Sequence, residues 1–166
     1  MNTKLSLGNY SDNLLVRKLQ GYFELMKPRV MSLVIFTAFV GMFLAPGQIE
    51  YINYIVVILA IAIGAGSSAS INMWFDEDID RTMDRTKTRP IPLGIVSKNE
   101  ALVLGIFAGI ISLLLMQWFA NPLATSLLLF TILFYIFIYT FWLKRSTPLN
   151  IVIGGAAGAI PPIIGW

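Results

Sequence analysis

The sequence predicts an all-α fold: a polytopic transmembrane helical bundle with four complete spans and a truncated fifth. Three observations carry that reading. Long uncharged runs alternate with polar connections, Lys and Arg occur only in every second connection, and a period-four array of Asn and Asp directly follows the second run. The composition agrees, at 57% hydrophobic, 13% charged and a mean hydropathy of +0.75, against about 25% charged in an ordinary soluble domain. The chain has no Cys and no His. That excludes disulfides, thiolate and imidazole metal sites, a cysteine nucleophile and a histidine base. Any metal here must be held by oxygen. A net charge of +3 is too small to point to nucleic acid.

Residues 1–29 hold Lys4, Arg17, Lys18, Lys27 and Arg29, with Leu15, Leu19, Tyr22 and Met26 at helical spacing. This N-terminal segment, from about Ser11, is expected to lie along the membrane surface. It does not read as a cleavable signal peptide, because its apolar run comes late, is long and lacks a small-residue cleavage site. Val30–Pro46 is uncharged for 17 residues and spans if Phe23–Met26 extends its helix; Pro46–Gly47 ends it. Tyr51–Phe75 is uncharged for 25 residues and makes a long second span. Within it, Gly64/Ser68 and Gly66/Ser70 are small-xxx-small pairs that let a neighbouring backbone come close. Their first expected role is helix packing, and their second is to clear room for a substrate tail.

The hydrophilic segment Asp76–Glu100 follows, then a third span, Ala101–Phe119, and a very short turn at Asn121–Pro122. A fourth span, Pro122–Leu143, is rich in Phe and Tyr, and Lys144–Arg145 opens the next polar connection. The fifth apolar run, Ile151–Trp166, has 16 residues, which as a helix reach about 24 Å against a hydrocarbon core of about 30 Å. It therefore reads as truncated. Of the twelve Lys and Arg, five lie in residues 1–29, five in residues 76–100 and two at 144–145. Alternation this complete predicts a multi-pass protein of the cell (inner) membrane, with the N-terminus and the Asp-rich 76–100 loop in the cytoplasm. A cysteine introduced at Gln48 should then react with an impermeant reagent from the opposite side; labelling from the cytoplasmic side alone would reverse the topology.

Residues 76–90 hold five acids and four bases, and Asn72, Asp76, Asp80 and Asp84 recur every four residues. If the preceding helix continues, they lie on nearly one face. Asp84 has drifted by about 120° from Asn72, and Asp76 and Asp80 are the stronger candidates. An amide oxygen and carboxylates are hard ligands suited to Mg²⁺, which commonly brings phosphate oxygens with it. Arg81, Arg85, Lys87 and Arg89 follow at once, and guanidinium forks match phosphate geometry. The residues thus predict a magnesium–diphosphate site at a membrane surface. The competing reading is a solvated charge run closing a loop, with salt bridges of little worth. Lys27–Pro28–Arg29 either anchors the first span or reaches the same anion, and Trp74 and Phe75 read first as interfacial belt aromatics.

Asn72-x-x-x-Asp76-x-x-x-Asp80, followed by Arg85-Thr86-x-x-Arg89-Pro90, resembles the first Asp-rich motif of the UbiA superfamily of intramembrane prenyltransferases. The wording around it, with Lys27–Pro28–Arg29–Val30 upstream, is most similar to the haem-modifying branch. The likeness covers essentially the whole chain, residues 1–166, as one prenyltransferase domain. It implies half of a fold of about nine spans, in which each half supplies one Asp-rich motif. Only the first motif is present, so the chain reads as an N-terminal half, with a C-terminal half-chain or self-association as the implied partner.

The resemblance further implies transfer of farnesyl from farnesyl diphosphate to a vinyl group of protohaem IX, giving haem O and diphosphate. Asp76 and Asp80 would be the catalytic residues, Asn72, Asp76 and Asp80 the Mg²⁺ ligands, and Lys27, Arg29, Arg85 and Arg89 the substrate-binding cations. Two alternatives stand beside this: a quinone-type aromatic prenyltransferase of the same superfamily, and a non-catalytic membrane assembly or transport fragment. A transporter more often buries charges within a span, and none of these spans contains one.

Overall fold

The computed structural model describes residues 3–47 and 50–166, with side chains from Leu14 onward. The side chains of Lys4 and Ser11, and residue 48, lie outside that set. Among the described residues the regular structure is helical throughout. Three helices are long and apolar enough to cross a membrane: α3 (Tyr51–Phe75), α5 (Lys98–Phe119) and α6 (Pro122–Ser146). The bent pair formed by Leu14–Leu25 of α1 (Thr3–Leu25) and by α2 (Pro28–Leu44) is apolar enough to make a fourth only if it crosses as one broken span. A short helix, α4 (Glu77–Thr82), follows α3, and the fifth apolar run forms α7 (Asn150–Ala159) and α8 (Pro161–Gly165).

The first span differs from its expected form. Phe23–Met26 does not extend α2, because Lys27 takes a left-handed backbone (φ 52°, ψ 64°) and the axis turns by 47° between α1 and α2. The cause is local. A residue before proline is pushed out of the right-handed helical region, and Pro28, lacking an N–H, starts a helix more easily than it continues one.

Helix α3 is the hub. Its second half, from Gly64 to Met73, is buried almost without interruption, and its small residues set its approach to α5. Ser67 and Ser70 donate to the Gly105 and Ala101 carbonyls at 2.6 and 2.8 Å, and Ser112 returns a bond to the Ala60 carbonyl at 2.8 Å. Ala38, Met42, Ile61, Met116, Leu128 and Ile132 fill the space between α2, α3, α5 and α6. Helix α8 lies against α2 with no spare room: a Cβ on Gly41 would stand 2.2 Å from the Pro162 carbonyl oxygen. Large apolar side chains such as Phe36, Phe43, Phe107, Trp118 and Phe130 are more than half exposed. An apolar exterior of this extent suits lipid; the chain is a membrane protein.

Residues 134–143 of α6 are wound as a π-helix, which the sequence did not announce. The Thr140 hydroxyl follows that winding and donates to the Tyr135 carbonyl at 2.9 Å. Such stretches recur at functional sites, and this one leads directly to Lys144.

Candidate functional site

The acidic array sits where α3 gives way to α4. Helical pitch survives the junction, since the Asp76 N–H bonds the Asn72 carbonyl at 3.0 Å and the Asp80 N–H bonds the Asp76 carbonyl at 2.8 Å. Four-residue spacing therefore keeps Asn72, Asp76 and Asp80 together, and they are 2%, 0% and 2% exposed. Helix α4 ends at Thr82 and Met83 is extended. Asp84 thus falls outside the array, exposed and paired with Lys87 at 2.7 Å.

Three cations from three parts of the chain close on the buried Asn72–Asp76–Asp80 array. Lys27 Nζ donates to Asn72 Oδ1 at 2.7 Å. Arg89 Nη1 donates to Asp80 Oδ2 at 2.6 Å. Lys144 Nζ pairs with Asp76 Oδ2, the oxygen that also accepts from Asn72 Nδ2 at 2.8 Å. The Thr140 hydroxyl oxygen takes the second Asn72 amide proton at 3.3 Å. Three cations against two carboxylates leave a local excess of one positive charge. Burial pushes the Lys27 ammonium down to about 8, with Arg89 and Lys144 adding to the shift while Asp76 and Asp80 oppose it. That residue is also held in the left-handed backbone, a strained state that clusters at functional sites.

One atom of the cluster is unsatisfied. Asp76 Oδ1 is buried and has no hydrogen-bond partner, in a setting where nearly every buried polar atom has one. A bare carboxylate oxygen one helical turn from a second carboxylate, with surplus positive charge nearby, suits a cation that arrives with an anion. Among the described residues no three His, Cys, Asp or Glu side chains converge as a complete metal cage. Asp76, Asp80 and the Asn72 amide oxygen are still hard donors of the kind a divalent metal ion takes when substrate phosphates and water complete its shell.

Lys27 also lines a cavity of about 270 Å³ whose wall is otherwise mostly apolar. Met31, Val34, Ile61, Leu128, Ile132 and Ile164 make much of its wall. On the α3 side, Ala65, Ser68 and Ala69 line it. The small residues of α3 therefore divide: Gly64, Ser67 and Ser70 pack against neighbouring helices, and Ser68 lines the cavity. Arg29 and Arg85, by contrast, are exposed and make no ion pair among the described residues.

Outside the cluster, charged side chains pin the polar segment to the helix ends. Arg145 bonds Asp78 at 2.8 Å and the Phe75 carbonyl at 3.2 Å, and its guanidinium lies 4.4 Å from the centre of the Phe75 ring. Arg81 and Lys98 flank Glu77 at 2.7 and 3.4 Å. The Arg145 hydrogen bond to Asp78 and the Arg81 hydrogen bond to Glu77 each hold their carboxyl below the usual range. Sequence reasoning passed over Lys144 and Thr140. The one available signal was that Lys144 lies in a connection on the same predicted side as the Asp-rich segment.

Two buried carboxylates, Asp76 and Asp80, are thus paired with cations, and Lys27, bonded to their neighbour Asn72, also lines an apolar cavity in a membrane protein. Residues 34–166 match the UbiA prenyltransferase family, and the chain belongs to that family. It is 60% identical over 145 residues to a protein from Sinorhizobium fredii named protoheme IX farnesyltransferase, covering 87% of this chain and 46% of that protein. Proteins of the same name from Pelagibacter ubique and Agrobacterium fabrum are 56% and 53% identical, covering 87% and 96% of this chain. The chain spans about half the length of the curated relatives it matches.

Proposed function

We propose that this chain supplies an Asp-rich half-site of a prenyltransferase that joins the farnesyl group of farnesyl diphosphate to a vinyl group of protohaem IX, forming haem O. The observation that carries it is the unsatisfied Asp76 Oδ1 in an Asn72–Asp76–Asp80 array whose members pair with Lys27, Lys144 and Arg89 in turn, Lys27 also lining the cavity. The names of the relatives support the acceptor.

Asp76 and Asp80 would hold Mg²⁺, and Asn72 would join them once its oxygen is released by Lys27. A bound Mg²⁺ would neutralise diphosphate charge and favour its departure. The chain's own part is electrostatic. Lys27, Arg89 and Lys144 donate toward the phosphate oxygens as the allylic C–O bond breaks and its electron pair leaves with diphosphate, a placement that usually carries the largest share of such catalysis. The cavity wall takes the isoprenoid tail and keeps water from the allylic cation until the terminal vinyl carbon attacks. The cation this leaves on the vinyl carbon next to the ring is then taken by a water molecule, which loses a proton and becomes the hydroxyl of haem O. Arg29 and Arg85, exposed here, would meet the diphosphate only at its approach. Residues 76–100 would be the catalytic loop and residues 1–29 an interfacial segment. Alternating basic connections support an inner-membrane protein with its N-terminus in the cytoplasm.

The test is a chimera in which this chain replaces the matching part of the Sinorhizobium fredii relative. Membranes carrying it, supplied with farnesyl diphosphate, Mg²⁺ and protohaem, should yield haem O by mass spectrometry. Prenylation of an added aromatic acid in place of protohaem would assign the half-site to another branch.

A further inference from the structure

Helix α1 has three faces over its described side chains, successive residues being offset by about 100°. Lys18, Gly21, Tyr22 and Leu25 share the first, which is packed. Leu25 is fully buried, a Cβ on Gly21 would meet Val96 and Ile95 at 2.9 and 3.0 Å, and Lys18 Nζ lies 2.5 Å from Glu100 Oε1. Leu15, Val16, Leu19 and Phe23 share the second, and each is more than half exposed. Arg17, Gln20 and Glu24 share the third, also exposed. The lipid-facing Val30 and Leu33 of α2 begin immediately beyond the 47° bend, so the apolar stripe of α1 adjoins the lipid-facing surface of the bundle.

These faces fit one environment. A helix inside the hydrocarbon core would turn Arg17, Gln20 and Glu24 toward lipid, and a helix in water would expose the Leu15–Leu19–Phe23 stripe. A helix lying in the headgroup–acyl boundary satisfies both. We propose that α1 docks lengthwise in the bilayer interface, and that its packed face transmits this docking to residues 90–97, holding that strap over the acid cluster. Continuity is direct: Gly21 approaches Pro90, whose neighbour Arg89 carries the bond to Asp80. The strap is held as well by its own turns, in which the Gly94, Ile95 and Val96 amides bond the Ile91 and Pro90 carbonyls, and by Ile91 and Val96, which are buried in one cluster with Leu25 of α1, Met73 of α3 and Ala101 of α5. What the acid cluster binds does not enter this inference.

The native chain lacks cysteine, so single nitroxide labels can be placed at Leu19, Gln20, Phe23 and Glu24 in phosphatidylcholine–phosphatidylglycerol vesicles. Labels at 19 and 23 should collide preferentially with oxygen, at a depth of about 5–10 Å, and those at 20 and 24 with a water-soluble nickel chelate. Depth that increases along the helix toward the bilayer centre, equal exposure of both pairs to the chelate, or shielding of 19 and 23 from both reagents would each overturn the docking. The coupling has its own readout. Because both side chains are exposed, L19E/F23E should leave the fold intact while speeding amide exchange at Gly94, Ile95 and Val96 roughly tenfold, with α3 and α5 unchanged. Unaltered exchange there would overturn the coupling.

Discussion

Asp76→Asn in the chimera should lower haem O formation at least ~100-fold, the usual consequence of removing one preorganised electrostatic group, while the protein stays in the membrane. The substitution keeps the shape and removes the charge. Asp76 is fully buried and shares Oδ2 between Asn72 and Lys144, so a neutral amide leaves Lys144 and Lys27 without their main counter-charge. Deleting one partner of a buried pair commonly destabilises by about 3–5 kcal/mol. Here the loss should fall at the low end, because the Lys144 side chain is 25% exposed and can turn toward water. A detergent-titration midpoint close to the parent's, together with lost turnover, separates chemistry from folding. Parent-level turnover in the variant would end the metal-site proposal.

Gly105→Leu should be among the most disruptive single changes in the bundle. A Cβ there stands 2.5 Å from Ile71 Cγ1 and 3.2 Å from the Ser67 carbonyl oxygen, both on the facing helix. Leucine adds three further carbons to that contact and must push α5 away from α3. The Ser67 and Ser70 bonds to the Gly105 and Ala101 carbonyls would then lengthen or break. Interhelical hydrogen bonds in membranes are worth about 0.6 kcal/mol each and overpacking costs about 1–3 kcal/mol, so the sum is about 2–4 kcal/mol. Gly155→Leu is the control. Nothing lies within 4 Å of its Cβ position, so the change should stay within about 1 kcal/mol. Equal midpoint shifts for the two variants would mean that close α3–α5 approach does not hold the bundle.

Spans and acid spacing were legible because both are local patterns. An uncharged run of 25 residues needs no partner to be read as a crossing, and a four-residue period places Asn72, Asp76 and Asp80 together whatever packs around them. Long-range pairing has no such signature. Lys144 meets Asp76 across 68 positions, and no local pattern in residues 134–143 marks the π-helical winding that precedes it. The bend at Lys27 was signalled by the following proline, but the apolar run before it masked the break. Arg85 was expected at the site because it follows the acids closely. The end of α4 and the extended backbone at Met83 carry the chain outward, whereas Arg89, four residues later, returns to Asp80.

Binding of farnesyl diphosphate to the purified 166-residue chain in nanodiscs, measured by calorimetry with Mg²⁺ and again with the metal chelated, tests the central claim most directly. The account predicts binding that requires Mg²⁺ and is lost in Asp76→Asn. Binding of equal strength after chelation, or in that variant, would contradict a metal–diphosphate site built on Asp76 and Asp80.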